Sequence, residues 1–238
     1  MYTKIFETEA LASEFIVDNL SALLKDNPHA MICIAAGQTS LPILSEMKKR
    51  VDDGLLDVSN AYFIAMDEWK DVPSDCYGSC ANFLKRNMII PLGIKESNYH
   101  LFDSYGGEQE CKIVKNIIEN HGGIDFLVLG IGLNGHLALN EPGSKKNSSC
   151  RVVTISDTTL NVAPKYFNDN NMPEISGGLT IGLTEILAAK EIYLAAFGSH
   201  KKEIIKKLEI SDISANLPAS FLKDLNNAYL VLDKSAYS

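Results

Sequence analysis

Between Gly130 and Ser144 the chain reads GIGLNGHLALNEPGS, which places His136 two residues after Asn134 and five before Glu141. An imidazole exchanges protons near neutral pH, and an amide or carboxylate beside it can hold the ring in one orientation. This is the smallest set of groups able to move protons on a substrate. An acidic pair, Asp67-Glu68, stands just before Trp69. Neighbouring side chains leaving a strand diverge, so one carboxylate can face a cleft while the other turns away. A solvated acidic loop is the alternative for this pair, and a structural histidine is the alternative for His136. With a carboxylate from Asp67 close by, catalysis is the favoured reading.

Two short segments suit an anion. Gly37-Gln38-Thr39-Ser40 joins a glycine, two hydroxyls and the start of a helix, where free backbone N–H groups attract phosphate. A plain tight turn with a hydroxyl cap is the alternative there. Gly198-Ser199-His200-Lys201 also opens a helix. Lysine is disfavoured at the positive end of a helix unless an anion is nearby, which makes Lys201 more informative than Lys202. GxxxxGK[ST] is absent, and GIGLNG, although its glycines have G-x-G-x-x-G spacing, lacks the following helix context of a dinucleotide fingerprint, so nucleotide binding is not indicated.

These groups need elements to carry them. Residues 8–25 repeat apolar positions at helical spacing, and AMICIAA at 30–36 is an apolar run of strand length. The pairing recurs along the chain: LPILSEMKKRV then AYFIAM, CKIVKNIIEN then DFLVLGIG, LTEILAA then EIYLAAFG, and HKKEIIKKL ahead of AYLVLD. Strands that are apolar throughout and alternate with helices predict an α/β fold, a doubly wound and mainly parallel sheet of modified Rossmann-like type, in one domain over residues 1–238. In such sheets ligands gather at the carboxyl ends of strands, where each segment above falls. The least regular stretch, about 143–178, includes GSKKNSS and NDNNMPEISGG and reads as a long connection or mobile flap.

Composition narrows the partners. With 238 residues, 46% of them hydrophobic, the chain has ample material for a sizeable core. Its 22 Lys+Arg against 30 Asp+Glu give a net charge of −8, which argues against nucleic acid or an anionic membrane as a partner. Any anionic ligand then needs a local positive site. The five cysteines lack disulfide-like spacing, and Cys76 with Cys80 has no second Cys/His pair to complete a zinc site. They read as structural or incidental thiols, with no metal expected and a reducing cytosolic compartment. The N-terminus carries acids where a signal peptide would be apolar, and no run of about 18 apolar residues occurs, so a soluble, unexported protein is expected.

Gly130 to Gly143, together with MDEW and the Gly-Gln-Thr-Ser and Gly-Ser-His-Lys turns, resembles the glucosamine-6-phosphate deaminase family, within the larger group that includes 6-phosphogluconolactonases. The resemblance runs in order along essentially the whole chain. Asn140-Glu141-Pro142 points to the deaminases over the lactonases, which usually follow the Gly-His pair with small residues. Leu139, where glucosamine enzymes tend to carry Phe, and Leu217-Pro218-Ala219-Ser220-Phe221-Leu222 look closer to the galactosamine-6-phosphate deaminase/isomerase branch.

The resemblance implies that Asp67 removes the C2 proton of an open-chain amino sugar phosphate, that His136 assists ring opening and that Glu141 orients His136. It places the phosphate on Gly37, Gln38, Thr39 and Ser40, on Lys201, and on Lys165, where relatives can have arginine. It implies a sugar-phosphate substrate and no cofactor, and leaves assembly into a homo-oligomer open. Asn134 departs from the best-studied pattern, which has aspartate; asparagine can hold an imidazole but cannot accept its proton. Two other classes stay in view. A lactone hydrolase would share the fold, and a sugar-phosphate sensor would need neither Asp67, His136 and Glu141 together nor an enzyme's turnover; the 238 residues carry no basic helix-turn-helix segment that a regulator would add.

Overall fold

The computed structural model describes residues 1–167 and 172–237. In chain order its elements are β1 (Tyr2–Phe6), α1 (Glu9–Asp26), β2 (Met31–Ile34), α2 (Leu41–Asp52), β3 (Tyr62–Ile64), β4 (Asp67–Trp69), α3 (Cys80–Leu84), β5 (Tyr99–His100), α4 (Gly107–Asn120), β6 (Phe126–Gly130), β7 (Arg151–Val153), α5 (Asp157–Val162), β8 (Gly178–Thr180), α6 (Leu183–Leu187), β9 (Glu191–Ala196), α7 (Lys202–Ile210), β10 (Ala228–Asp233) and α8 (Lys234–Tyr237).

The local causes are plain in the longest helix. Thr8 Oγ1 accepts the Leu11 N–H at 3.3 Å and caps α1. Behind the cap, Ala12, Ile16, Val17, Leu20 and Leu24 form one buried stripe, the spacing that turns an amphipathic helix toward a sheet. The central strands of the sheet have no solvated face: every residue of β2 and the first four of β6 are buried.

Among the described residues seven strands form one sheet in the order β1-β10-β9-β6-β2-β3-β5, and each of its pairings is parallel. The predicted α/β class with a mainly parallel sheet is therefore observed. Its core includes Ile16, Leu20, Met31, Ile32, Phe63 and Phe126, all at or near full burial, with Tyr193 stacked between Phe126 (4.6 Å) and Tyr229 (5.3 Å). From β2 the chain proceeds outward to β3 and β5, whereas from β6 it proceeds the other way to β9 and β10. The strand order reverses between β2 and β6. Such a reversal opens a crevice at the carboxyl ends, and the turns that follow β2, β6 and β9 come to lie side by side.

Several elements differ from the sequence reading. Asp67-Glu68-Trp69 is no loop after a strand: it is β4, the edge of a three-stranded antiparallel sheet ordered β4-β8-β7, with Asp67 opposite Thr180. The stretch 143–178 is more ordered than a long flap, since it holds β7, α5 capped by Ser156, a 3-10 turn at Ala163–Tyr166 and the start of β8. Residues 168–171 of NDNN fall outside the described residues. Lys201 sits in a 3-10 turn, Ser199–Lys201, one residue ahead of α7 rather than inside it. No apolar run announces β1, whose residues are mostly exposed; it pairs along β10 from Tyr2↔Tyr229 to Phe6↔Asp233.

Candidate active site

The glycines of GIGLNGHLALNEPGS make room for His136. A Cβ on Gly132 would lie 2.3 to 2.5 Å from the His136 ring, and a Cβ on Gly135, at φ +87°, would strike Leu217 at 2.1 Å. The loop folds back on itself, with Gly132 N–H donating to His136 O at 3.1 Å. Asn134 Oδ1 accepts the His136 N–H at 3.1 Å, and Asn134 Nδ2 donates to Glu141 Oε2 at 2.7 Å. Asn134 thus ties the two ends of the loop together. Glu141 Oε2 stands 3.5 Å from His136 Nδ1, and Thr159 Oγ1 lies 3.2 Å from the same nitrogen. Both anchors engage Nδ1, and neither engages Nε2.

Asn140 secures the far side of the loop. It is fully buried, donates to Leu137 O (3.0 Å) and Ile181 O (2.9 Å), and accepts from Arg151 Nη1 at 2.8 Å. Between them Ala138 adopts φ +52°, an uncommon conformation for a residue with a Cβ and one that clusters at functional loops.

The two acids of β4 diverge as their strand geometry predicts. Glu68 is fully buried and turns away from the cleft to accept three backbone N–H groups, from Trp69 (2.9 Å), Cys80 (2.8 Å) and Ala81 (2.7 Å). It clamps the start of α3 to β4. Asp67 lines the cleft. Burial first, then the charge of Glu68, pushes its carboxyl up to about 7, against a hydrogen bond from the Cys80 side chain. Burial likewise pushes Glu68 up to about 7, opposed by its backbone donors. At Glu141 burial acts in the same upward sense, but hydrogen bonds from His136, Thr159 and Asn134 and the charge of His136 outweigh it and hold the carboxyl down at about 2.

Cations also line the cleft. Lys201 Nζ donates to Ile131 O at 2.7 Å, and burial lowers its pKa. His200 is lowered by burial and then by the charges of Lys201 and Lys165, so these three groups share one neighbourhood. Gly198, at φ +83°, makes the turn that leads into His200 and Lys201. The Gly37 to Ser40 turn, a 3-10 turn leading into α2 with no side-chain cap, lines the same cleft.

The cleft has a volume of about 510 Å³ and is lined by Gly37, Gln38, Thr39, Ser40, Asp67, His136, Lys165 and Lys201 together. Asn134 and Glu141 do not line it; they stand behind His136. Leu139 forms part of the wall and packs in a small apolar cluster with Trp69, Val72 and Phe167. None of Leu217 to Leu222 lines the cleft; Leu217 lies against Gly135, and Ala219 N–H donates to Gly135 O at 3.0 Å, so that segment supports the histidine loop from behind. Sequence reasoning missed Thr159, Cys80 and Tyr166. Thr159 is 23 residues from the histidine it touches, and no local signal could have joined them. Cys80 had one signal, its place after a Gly-Ser turn, but spacing to Cys76 drew attention to metal chemistry instead. Among the described residues no group of three or more His, Cys, Asp or Glu is placed to hold a metal ion, and no helix is long and apolar enough to cross a membrane.

A carboxylate poised near neutrality, a histidine held by one nitrogen and a cationic end suit proton transfer on an anionic metabolite. Known proteins agree on the class. Residues 7–231 match the profile of the glucosamine-6-phosphate isomerases/6-phosphogluconolactonases. AgaI of Escherichia coli K12, a protein assigned as a deaminase, is 34% identical over 217 residues, covering 91% of this chain and 85% of its own. A glucosamine-6-phosphate deaminase of Thermoanaerobacter sp. X514 is 31% identical over 218 residues, covering 90% and 85%. Among solved structures, a monomeric glucosamine-6-phosphate deaminase of the NagB superfamily superposes with a TM-score of 0.93 at 26% identity, over 99% of this chain and 98% of that one. A 6-phosphogluconolactonase from Leishmania guyanensis shares the fold at a TM-score of 0.77 and 19% identity. With nearly its whole length matched and its strand-end turns converging as one cleft, the chain belongs to the glucosamine-6-phosphate isomerase/6-phosphogluconolactonase family, on its amino-sugar-phosphate deaminase side.

Proposed function

We propose that residues 1–238 act as one cytoplasmic amino-sugar-phosphate deaminase/isomerase domain that converts galactosamine 6-phosphate to tagatose 6-phosphate and ammonia. The observation that carries the chemistry is the meeting of Asp67, His136 and Lys201 in one cleft. Lys201, Lys165 and the Gly37–Ser40 turn hold the phosphate, and charge-assisted hydrogen bonds of this kind contribute roughly 1.5–3 kcal/mol each. The phosphate handle fixes the far end of the sugar.

His136, held at Nδ1 by Glu141 and Thr159, assists ring opening through Nε2. The aldehyde at C1 then acidifies the C2 hydrogen, and Asp67 removes it to give an enediol-like amine. Reprotonation at C1 yields a C2 imine, and water adds to that imine to release ammonia and leave the ketose. The steps use proton transfers and water alone. Asn134 serves by hydrogen bonding and takes no proton.

Leu139 supports the galactosamine reading, because it lies in the cleft wall where an aromatic would reshape the space beside the sugar. The epimers differ at C4, away from the reacting carbons, and apolar reshaping is worth about 1–3 kcal/mol, so a preference is expected and not exclusivity. The test is kcat/KM for both epimers by ammonia release. A clear advantage for glucosamine 6-phosphate, giving fructose 6-phosphate, overturns the epimer while keeping the mechanism; acid release from 6-phosphogluconolactone without ammonia overturns the mechanism.

A further inference from the structure

One cation of the cleft has no part in the mechanism above. Arg86 lies in the π-type turn Lys85–Ile89 that continues α3, and it lines the cleft together with Tyr77 and Asn87. Its guanidinium stands over the Tyr77 ring, with Cζ 3.8 Å from the ring centroid. Nε donates to Asn82 Oδ1 at 2.6 Å, and Nη2 donates to Tyr77 O at 3.3 Å. Arg50, by contrast, is held by the carboxylates of Glu46 and Asp18. The partners of Arg86 are a ring, an amide and a carbonyl, all of them neutral; they fix its place and leave its charge unanswered.

These contacts are themselves braced. Asn82 donates its N–H to Ser79 Oγ at 2.9 Å and its Nδ2 to Asp75 O at 3.0 Å, which leaves Oδ1 for Arg86. A guanidinium has five N–H donors in a fixed fork, and the Nη1 pair of Arg86 is engaged by neither bond. Parallel N–H groups of this kind bind phosphate in bidentate fashion. Packing also brings Arg86 to the other anion-binding elements. The Lys85–Ile89 turn packs against α2, the helix that the Gly37–Ser40 turn opens. Beyond Tyr77, a Cβ on Gly78 would fall 2.4 to 2.6 Å from the Phe167 ring, so Phe167, two residues past Lys165, lies directly on the Tyr77-Gly78 segment.

We propose that Arg86 is a further substrate-binding residue, whose guanidinium, preset on Tyr77, takes the phosphate of the amino sugar phosphate alongside Lys165 and Lys201. The identity of the substrate rests on the function proposed above. A third cation matters in a chain of net charge −8, whose overall field repels an approaching dianion. Arg86 is exposed, so water screens it and its contribution is smaller than that of a buried pair.

The test is calorimetric titration of inorganic phosphate into the parent protein, Arg86→Met and Tyr77→Leu, together with steady-state ammonia release from galactosamine 6-phosphate. Arg86→Met keeps an unbranched apolar stem and removes the charge; it weakens phosphate binding about 3- to 10-fold and raises KM by a similar factor, with the loss in KM and not in kcat. Tyr77→Leu keeps the charge and removes its platform, and gives a smaller loss of about twofold on both measures. Phosphate affinity unchanged in Arg86→Met overturns the proposal, and so does a fall in kcat with phosphate affinity intact, as a disturbed α3 produces. If the parent protein releases no ammonia from either epimer, the deaminase reading fails, and the phosphate titration still decides whether Arg86 belongs to the anion site.

Discussion

Asp67 on β4 and Glu141 at the end of the histidine loop are two carboxylates of one site, and their surroundings drive them in opposite directions. Asp67 has Glu68 as its sequence neighbour and one weak thiol donor, and stands at about 7. Glu141 is also partly buried but has His136, Thr159 and Asn134 around it, and stands at about 2. Burial acts upward on both, so the number and strength of donors decide the outcome. The difference separates two duties. Under the proposed mechanism the group that takes and returns a proton is the under-solvated one, and the group that holds an imidazole in place stays ionised at physiological pH.

The strongest attack on this division is Asp67→Asn, nearly isosteric and unable to accept the proton. Turnover is expected to fall about 10²- to 10⁴-fold with binding of the sugar phosphate changed only a few-fold. Measuring solvent deuterium incorporation at C2 or C1 separates proton abstraction from later steps; near-normal incorporation in this variant shows that the base is elsewhere.

A smaller effect is expected from Glu141→Gln, which keeps a hydrogen-bonding group beside His136 but removes its charge. The loss is about 10- to 10²-fold on the cyclic substrate. It is much less on an analogue locked open, because the proposed mechanism has Glu141 act through ring opening. Equal losses on both substrates break the distinction between the two carboxylates.

The mildest effect, and the one that sharpens the comparison most, is on stability. Asp67 has a raised pKa in the folded state, so its contribution is favourable below its unfolded value near 3.9 and is lost as pH rises through about 7. Asp67→Asn should therefore melt higher than the parent protein at pH 8 and equal to it near pH 4. Glu141 has a depressed pKa, so its contribution is present above its unfolded value near 4.3 and is lost as pH falls through about 2. Glu141→Gln should melt lower at pH 8, with the gap closing in acid. Each kcal/mol moves Tm by about 2–4 °C in a chain of this size, and thermal scans at the two pH values read both signs. Shifts of the same sign at pH 8 contradict the assignment of opposite environments.

Much of this arrangement was legible in the residues. The apolar runs of β2, β6, β9 and β10 lack any polar face, and only a sheet covered on both sides accommodates such strands. The glycine-rich loop marked its histidine, and the turns after β2 and β9 marked themselves as candidate anion sites that the fold brings to one cleft, because glycine and helix starts have local meanings. β4 was not legible. Three residues, DEW, carry no periodicity, and they become a strand because Gly178–Thr180 pairs with them from more than a hundred residues away. β1 is likewise made by the edge that β10 offers.

What the chain determined by itself was therefore the kind of fold, the carboxyl ends at which its cleft opens, and the candidate groups that meet there. Those follow from spacing and from short-range backbone rules. What only the tertiary structure decided was the character of those groups. Which acid of the Asp67-Glu68 pair faces the cleft and which hydroxyl anchors His136 both depend on contacts between residues distant in sequence. Proton affinity is set by those contacts, since desolvation and donor count belong to the three-dimensional surroundings and not to the residue itself.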